Sequence, residues 1–209
     1  MLEYPSILGW RKLPEIMGET CSAFEKYDGS NLRWEWTPKQ GWFKYGTRHC
    51  LFNEGTELFS QAVDPFKREI GKAVVDRVCT MLKRKPERIV AFTEFFGPSS
   101  FAGTHVLNED KELKLFDISV FKQGFLSPDD FQYYFGDEKW SARLIYRGPF
   151  TEALVEDIQA ENSTILNEGV VCKGGSRHDL WRVKIKTRDY MERLHRNYPN
   201  LYNEEKDQQ

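Results

Sequence analysis

Alternation of apolar and polar residues near the start of the chain constrains the fold more than any other feature. The alternation covers residues 21–27, 31–37 and 42–48, and turn-forming residues separate these segments at Asp28-Gly29 and at 38–41. A period of two residues is typical of β-strands with one buried face, and Gly, Pro and Asp favour turns. These segments predict an antiparallel meander of three strands.

Later segments show both helical and strand patterns. A helix is predicted over 64–85, because apolar residues recur on one stripe and Pro86 follows them. Further helices are predicted from Ser127, over 151–160, and from Arg188 into a tail that frays over 203–209. The remaining apolar runs predict strands over 87–97, 112–121, 168–174 and 180–187. Many antiparallel strands with a few helices indicate an α+β fold.

Composition excludes several classes of protein. The net charge of −2 is not that of a globally basic nucleic-acid binder, so phosphate binding must come from local clusters of basic residues. The four cysteines are scattered without a Cys-x-x-Cys pair, which argues against a zinc site. Since no signal peptide and no apolar run of about 20 residues is present, we expect a cytoplasmic protein, in the host cytoplasm if it is viral.

Three polar residues stand where a strand pattern does not require them. Lys26 ends a strand beside a turn, and Glu168 begins the strand "EGVVCKG". Glu94 shares a strand face with Phe92 and Phe96, which is unfavourable unless the carboxylate is paired or contacts a ligand. The alternative interpretations are a solvated lysine and acids in structural ion pairs.

A basic strand face is the fourth unusual feature. In "RVKIKTR", Val183 and Ile185 point to one side of the strand. The other side carries four cations, Arg182, Lys184, Lys186 and Arg188. Such cations repel one another unless an anion lies over them, and a phosphate chain would suit, although a solvated surface is the alternative.

Taken together, six short motifs resemble those of the covalent nucleotidyltransferases, which comprise ATP-dependent polynucleotide ligases and mRNA capping enzymes. Lys26-Tyr27-Asp28-Gly29 is similar to the KxDG nucleophile motif of that family. The other five follow in the family's order: Thr47-Arg48 on the third strand, "FTEFFG" around Glu94, "LFDI" with Phe116, "EGVV" with Glu168, and "KIK" with Lys184 and Lys186. KxDG alone is a weak signal, whereas six ordered motifs over 26–186 are a specific one.

Within that family the chain most resembles RNA ligases, particularly phage-like enzymes that seal nicks. Asn31 lies five residues after Lys26, where DNA ligases usually carry arginine, and "FFGPSSFAG" is also similar to RNA ligases. A minimal ATP-dependent DNA ligase and a non-catalytic RNA-binding protein with the same fold remain alternatives. GTP in place of ATP also remains open.

The resemblance implies both a fold and an activity. The fold is an α+β nucleotidyltransferase catalytic domain, with antiparallel sheets, flanking helices and the nucleotide in a cleft between them. The activity is ATP-dependent RNA ligation in three steps. Lys26 takes AMP from ATP, the AMP passes to a 5′-phosphate end of RNA, and that end is joined to a 3′-hydroxyl.

The resemblance also implies catalytic roles. Lys26 is the nucleophile, but its reference pKa of about 10.4 leaves it protonated at neutral pH. Lys184, Lys186 and a divalent metal would lower that pKa and grip the phosphates. Glu168 would hold the metal, Mg²⁺ or Mn²⁺. Asp28 favours the ammonium form and is therefore assigned to the turn or to orienting the site.

Five further residues are implied to contact the nucleotide. Glu94 would accept hydrogen bonds from the ribose hydroxyls, and Phe116 would stack on adenine. Arg48 and Asn31 would contact the sugar or the phosphates. Glu25 would reach the adenine amino group.

The predicted domain organisation is a single nucleotidyltransferase domain over 1–209. About two dozen residues follow Lys186, too few for the OB-fold or helical domain that such enzymes add there. We therefore expect no appended domain, and an accessory subunit is a candidate source of end recognition. The shortage puts full strand joining in question, but not adenylylation.

Overall fold

The computed structural model describes residues 1–53, 58–161 and 164–209, which form two compact units. The six-stranded unit comprises Met1–Pro5, Gly29–Leu126 and Asp130–Ser141. The five-stranded unit comprises Ser6–Asp28, Ser127–Asp129 and Ala142–Gln209. Each unit contains a largely antiparallel sheet together with helical segments, so the predicted α+β class is confirmed. The assignment of 1–209 to one nucleotidyltransferase domain stays a prediction.

Strands and helices follow one another along the whole described chain. In chain order the strands are β1 (Leu8–Gly9), β2 (Thr20–Lys26), β3 (Ser30–Thr37), β4 (Gly41–Thr47), β5 (Leu51–Phe52), β6 (Ile89–Phe96), β7 (Glu112–Val120), β8 (Gly124–Phe125), β9 (Leu144–Pro149), β10 (Gly169–Gly174) and β11 (Trp181–Lys186). The α-helices are α1 (Val63–Pro65), α2 (Lys72–Leu82), α3 (Pro128–Phe135), α4 (Glu152–Ala160), α5 (Arg188–Asn197) and α6 (Pro199–Glu205). A π-helical segment, Phe66–Gly71, joins α1 to α2.

The five-stranded sheet has the order β1-β11-β10-β2-β9, and its pairs are antiparallel except for β1 with β11. Ala23, Cys172 and Val183 are fully buried and pack in one cluster with residues of α4, such as Val155. Successive side chains of a strand point to opposite faces. Lys26, Lys184 and Lys186 therefore lie on the face opposite this core.

The six-stranded sheet has the order β5-β4-β3-β6-β7-β8. The π-helical segment, Phe66–Gly71, packs against this sheet through Phe66. The ring of Phe66 stacks on that of Trp34, with 4.0 Å between the ring centres. The predicted helix over 64–85 is confirmed, but its predicted last residue is wrong, because α2 ends at Leu82. Lys83 adopts a left-handed conformation (φ 55°) and its N–H bonds to Thr80, which ends the helix before Pro86.

The predicted three-stranded meander is wrong. Only β3 and β4 pair as expected, whereas β2 belongs to the other sheet and pairs with β9 and β10. A turn signal marks where a strand ends but does not specify the partner of the next strand. Gly29 is required there for a different reason: a Cβ at this position would lie 2.4 Å from the carbonyl oxygen of Phe95.

The other predicted elements are confirmed apart from the tail. The strands over 87–97, 112–121, 168–174 and 180–187 correspond to β6, β7, β10 and β11. The helices at 127 and 151–160 are α3 and α4. Residues 199–205 form α6 instead of a frayed end. Within the described part of the chain, no helix has both the length and the apolar character needed to cross a membrane.

Candidate active site

The candidate site is built around the start of β10, which lies between β2 and β11. Gly169 pairs with Lys26 on one side and with Lys186 on the other. Its φ of 151° suits glycine, and a Cβ there would lie 2.0 Å from the carbonyl oxygen of Ile185. Glycine at this position therefore allows β11 to approach closely and sets the preceding residue, Glu168, between two lysines.

Glu168 is a buried acid held by two ammonium groups. Its Oε2 accepts a hydrogen bond from Lys26 Nζ, and its Oε1 lies 2.8 Å from Lys186 Nζ. Burial alone would raise the pKa of Glu168, but the charges of Lys26 and Lys186 outweigh it and lower the pKa from 4.5 to about 2. The carboxylate is thus ionised at neutral pH beside the candidate nucleophile.

A second acid, Glu205 of α6, continues the pattern. Lys184 Nζ lies 2.8 Å from Oε1 and 2.7 Å from Oε2 of Glu205, and Lys186 Nζ lies 3.5 Å from Oε2. Lys26, Glu168, Lys186, Glu205 and Lys184 therefore form a line of alternating charges, which we call the charge row. Burial lowers the pKa of Lys184, and the neighbouring lysines lower it further, while Glu205 opposes both effects.

Asp28 is anchored by its own set of contacts. It is 5% exposed, and its N–H donates to Asn167 Oδ1 at 3.1 Å. The hydroxyl of Tyr190 in α5 hydrogen-bonds Asp28, and Lys186 Nζ lies 4.9 Å from the centre of the Tyr190 ring. Burial raises the pKa of Tyr190, and the charges of Glu168 and Asp28 raise it further, so the hydroxyl keeps its proton. These contacts agree with an orienting role for Asp28.

Glu25, the neighbour of Lys26, is paired with an arginine. Its Oε2 accepts a hydrogen bond from Arg143 Nε at 3.0 Å. Arg143 also donates to the carbonyl oxygen of Ile165 at 2.6 Å and is 54% exposed. Because the arginine is solvated, we expect this pair to orient Glu25 rather than to add much stability.

In the six-stranded unit, Asn31 and Glu94 occupy opposite positions on β3 and β6, and Lys114 of β7 lies opposite Glu94. Asn31 Oδ1 is buried and has no hydrogen-bond partner among the residues that the structure describes. A buried amide oxygen without a partner is unfavourable by about 1–3 kcal/mol, which a ligand donor would relieve. Arg48 follows Thr47, the last residue of β4, so its predicted position on a strand is wrong.

Phe116 occupies an irregular position in β7. The register with β6 shifts there, since Phe92 pairs with Asp117 and Thr93 with Leu115. The ring of Phe116 lies 5.0 Å from that of Tyr4. The aromatic ring is thus held at one face of the six-stranded sheet.

Comparison with protein families decides the classification. The model of a family described as RNA ligase matches residues 19–187, most of the chain. The chain belongs to the RNA ligase family. The matched span includes Lys26, Glu168, Lys184 and Lys186, whereas Glu205 lies beyond it. Among curated protein sequences, none gives a significant match to this RNA ligase family member.

Solved structures of Naegleria gruberi RNA ligase share the fold of this RNA ligase family member. The structure with PPi superposes with a TM-score of 0.65 at 16% identity, covering 94% of this chain and 59% of that one. A variant with AMP and Mn superposes with a TM-score of 0.66 at 17% identity, covering 92% of this chain and 58% of that one. A variant with ATP and Mn superposes with a TM-score of 0.62 at 16% identity, covering 88% of this chain and 53% of that one. The chain therefore spans less than two thirds of the length of these proteins.

The structure brings some of the predicted residues of this RNA ligase family member together within one unit. Lys26, Glu168, Lys184 and Lys186 all belong to the charge row. Their catalytic roles, like the nucleotide contacts of the other five residues, stay predictions. Arg188 is not on the basic strand face, because Thr187 caps a helix and Arg188 begins α5.

Two residues of the site were not predicted from the sequence. Glu205 falls in the polar stretch "NEEKDQQ", and Tyr190 falls in a helix that carries no recognisable motif. The signal that the sequence offered was the repulsion expected among the lysines of β11. This repulsion indicates that an anion lies over that face of the strand. The sequence did not indicate that the chain itself supplies this anion.

The acids present fit a metal that is bound together with a nucleotide. Among the described residues, no group of three or more His, Cys, Asp or Glu side chains is arranged to hold a metal. Mg²⁺ commonly takes one or two carboxylates and completes its shell with water and phosphate oxygens. Glu168 can supply such a carboxylate, although both of its oxygens contact lysines in this structure.

Glu168→Gln is expected to lower the free energy of unfolding at pH 7 by about 3 kcal/mol, which follows from a pKa lowered from 4.5 to about 2. Because the folded pKa lies below the unfolded value, this stabilisation is present above about pH 4.5 and is lost as the pH falls towards 2. Urea unfolding at several pH values would show a flatter acid dependence for the variant. Glu156→Gln, at an exposed position on α4, is the control. If the free energies of unfolding of Glu168→Gln and wild type changed equally with pH, the lowered pKa of Glu168 would be contradicted.

Proposed function

We propose that the protein is an ATP-dependent RNA ligase that works through a covalent lysyl-AMP intermediate on Lys26. The observation that carries the proposal is the charge row, which holds Lys26 beside a buried acid and near two further lysines. Phosphoryl transfer depends mainly on alignment of the reacting groups and on neutralisation of charge. Membership of the RNA ligase family supports RNA, rather than another acceptor, as the substrate.

In the first step, Lys26 Nζ attacks the α-phosphorus of ATP, a P–N bond forms and pyrophosphate leaves. The amine must lose a proton first, since a lysine is ordinarily protonated at neutral pH. Burial would raise the pKa of Glu168, but the charges of Lys26 and Lys186 lower it, so Glu168 is a weak base and the proton passes to solvent water. Its role is to hold Lys26 in place until the nucleotide arrives. Glu168 would hold a divalent cation, Mg²⁺ or Mn²⁺, which would supply positive charge at the phosphates.

Lys184 and Lys186 bind the phosphate oxygens in this proposal. Both ammonium groups lie on the face of the five-stranded sheet that carries Lys26, and the two residues are adjacent on that face of β11. Positive charges fixed before the reaction stabilise the charge that develops on the transferred phosphoryl group. They also stabilise the departing pyrophosphate.

The proposed nucleotide contacts of the six-stranded unit follow the resemblance. Glu94 accepts hydrogen bonds from the ribose hydroxyls, Asn31 and Arg48 contact the sugar or phosphates, and Phe116 stacks on adenine. The partnerless Oδ1 of Asn31 supports a ligand at that position. Glu25 contacts the adenine amino group and is oriented by Arg143.

In the remaining steps, AMP passes from Lys26 to the 5′-phosphate of an RNA end, and a 3′-hydroxyl attacks that phosphate with release of AMP. The chain spans 53–59% of the three Naegleria gruberi chains compared above, so these steps are proposals about the whole protein. The accessory subunit and the cytoplasmic location stay predictions.

Incubation with labelled ATP or labelled GTP and Mg²⁺, followed by nick sealing on matched RNA and DNA duplexes, tests the function. We expect an adduct with ATP and sealing of the RNA nick. Faster sealing of the DNA nick would instead identify a minimal DNA ligase. Labelling by GTP alone would show that the enzyme uses GTP instead of ATP. No adduct with either nucleotide, together with retained RNA binding, would identify a non-catalytic RNA-binding protein.

A further inference from the structure

The two lysines of β11 that are proposed to bind phosphate already have an anion over them. Glu205 places both carboxylate oxygens within 2.8 Å of Lys184 Nζ, and one of them lies 3.5 Å from Lys186 Nζ. Lys184 is 11% exposed and Lys186 6% exposed at the side chain, so the contacts are largely shielded from water. Such shielding strengthens the electrostatic attraction between Glu205 and the lysines compared with a pair on an open surface.

The position of Glu205 is fixed by neighbouring residues of the same segment. Gly9 N donates to Gln208 Oε1 at 3.3 Å, and Gly9 is the residue of β1 that pairs with Lys184. Lys186 N donates to Gln209 Oε1 at 2.7 Å. The segment that follows α6 thus contacts both strands at the level of the two lysines, which holds the Glu205 carboxylate over them.

A carboxylate and a phosphate require the same donors. Each lysine ammonium has three N–H groups and binds either anion as a compact charge. While Glu205 lies on Lys184 and Lys186, phosphate oxygens cannot take the same positions, and the negative charge of Glu205 repels them. Glu205 is ionised at neutral pH, because Lys186 and Lys184 lower its pKa although burial would raise it.

We propose that Glu205 is an internal competitor for the phosphate-binding lysines, and that α6 must withdraw before a polyphosphate can bind. The identity of the nucleotide rests on the proposed function, whereas the competition rests on the charge row alone. A protein whose binding-competent state is only a fraction of the population binds its ligand more weakly by that fraction. Glu205 therefore sets the affinity of the site for ATP without contacting the reacting atoms.

Glu205→Gln tests this competition, because glutamine keeps the size of the side chain and removes its charge. Glu204→Gln is the matched control, since Glu204 is exposed on the same helix and its loss changes the net charge equally. The measurement is calorimetric binding of inorganic tripolyphosphate without metal at fixed ionic strength. We expect binding to tighten about tenfold in Glu205→Gln, equivalent to about 1.4 kcal/mol, and to change less than about twofold in Glu204→Gln.

Equal or weaker binding by Glu205→Gln would overturn the inference, as would equal tightening in both variants. If Glu205→Gln does not fold, Glu205→Asp decides, because its shorter side chain withdraws the charge from Lys184 and should tighten binding to a smaller degree. Unchanged binding by Glu205→Asp would then overturn the inference.

The same preparations separate this inference from the proposed function. Tripolyphosphate reports on the lysines without requiring adenylylation. If wild type forms no adduct with ATP while Glu205→Gln binds tripolyphosphate more tightly, the proposed function fails and the competition stands. If wild type forms the adduct and the two proteins bind tripolyphosphate equally, the competition fails and the function stands.

Discussion

Lys26→Ala is expected to abolish the enzyme–AMP adduct, because the side chain that forms the P–N bond is removed. With labelled ATP, Mg²⁺ and a denaturing gel, we expect the labelled band to fall to background, a loss of about 10³-fold or more. The substitution also leaves Glu168 with Lys186 as its one ammonium partner among the residues that the structure describes. A thermal unfolding measurement must therefore show that the variant is folded.

Two further variants make this result specific. Lys26→Arg keeps a cation next to Glu168, but the guanidinium stays protonated, so it should be folded and equally unable to form the adduct. Lys12→Ala removes an exposed lysine of the same unit and should label as wild type does. Labelling of Lys26→Arg at the wild-type level would show that another group is the nucleophile.

Lys186→Met is expected to have the second largest effect, because Lys186 lies between two acids. Its ammonium contacts Glu168 and Glu205 and is 6% exposed at the side chain. Removing one partner from a buried ion pair commonly destabilises a protein by about 3–5 kcal/mol. Loss of a fixed charge at the transferred phosphoryl group should slow adduct formation about 10²–10³-fold. Urea unfolding and the rate of labelling at saturating ATP measure the two effects.

Lys184→Met provides the comparison for that result. Lys184 contacts Glu205 but is not paired with Glu168, so we expect a smaller loss of stability than for Lys186→Met. Equal stabilities of the two variants, or a wild-type labelling rate for Lys186→Met, would contradict the central position of Lys186 in the charge row.

Much of the five-stranded unit follows from local sequence. Alternation in "RVKIKT" places Val183 and Ile185 in the core and Lys184 and Lys186 on the other face, as the structure has them. The resemblance to covalent nucleotidyltransferases implied that Glu168 groups with the lysines, and the register of β10 places Glu168 next to them. These features depend on neighbouring residues of one strand or on a glycine between strands, which a sequence records directly.

Strand partners were harder to predict than strands. The Asp28-Gly29 turn ends β2, yet the next strand pairs in a different sheet. A tight hairpin and a passage between sheets require the same turn-forming residues, so local preference cannot distinguish them. The choice depends on strands that are distant in sequence, since β2 lies between β9 and β10 while β3 lies between β4 and β6.

Glu205 shows the same limit for the site. It reaches Lys184 across 21 residues of chain, from the polar end of a short helix that continues into a polar tail. Polar tails are ordinarily solvated, and their periodicity says little about what they contact. The contact of α6 with β11 therefore depends on tertiary structure, which is why the sequence predicted a need for an anion without identifying it.

Peptide mapping of the wild-type protein by mass spectrometry, after incubation with ATP and Mg²⁺, tests the central claim most directly. The account predicts one AMP group per chain, attached to the peptide that contains Lys26. An AMP group on any other residue, or a protein that stays unmodified at saturating ATP, would contradict it.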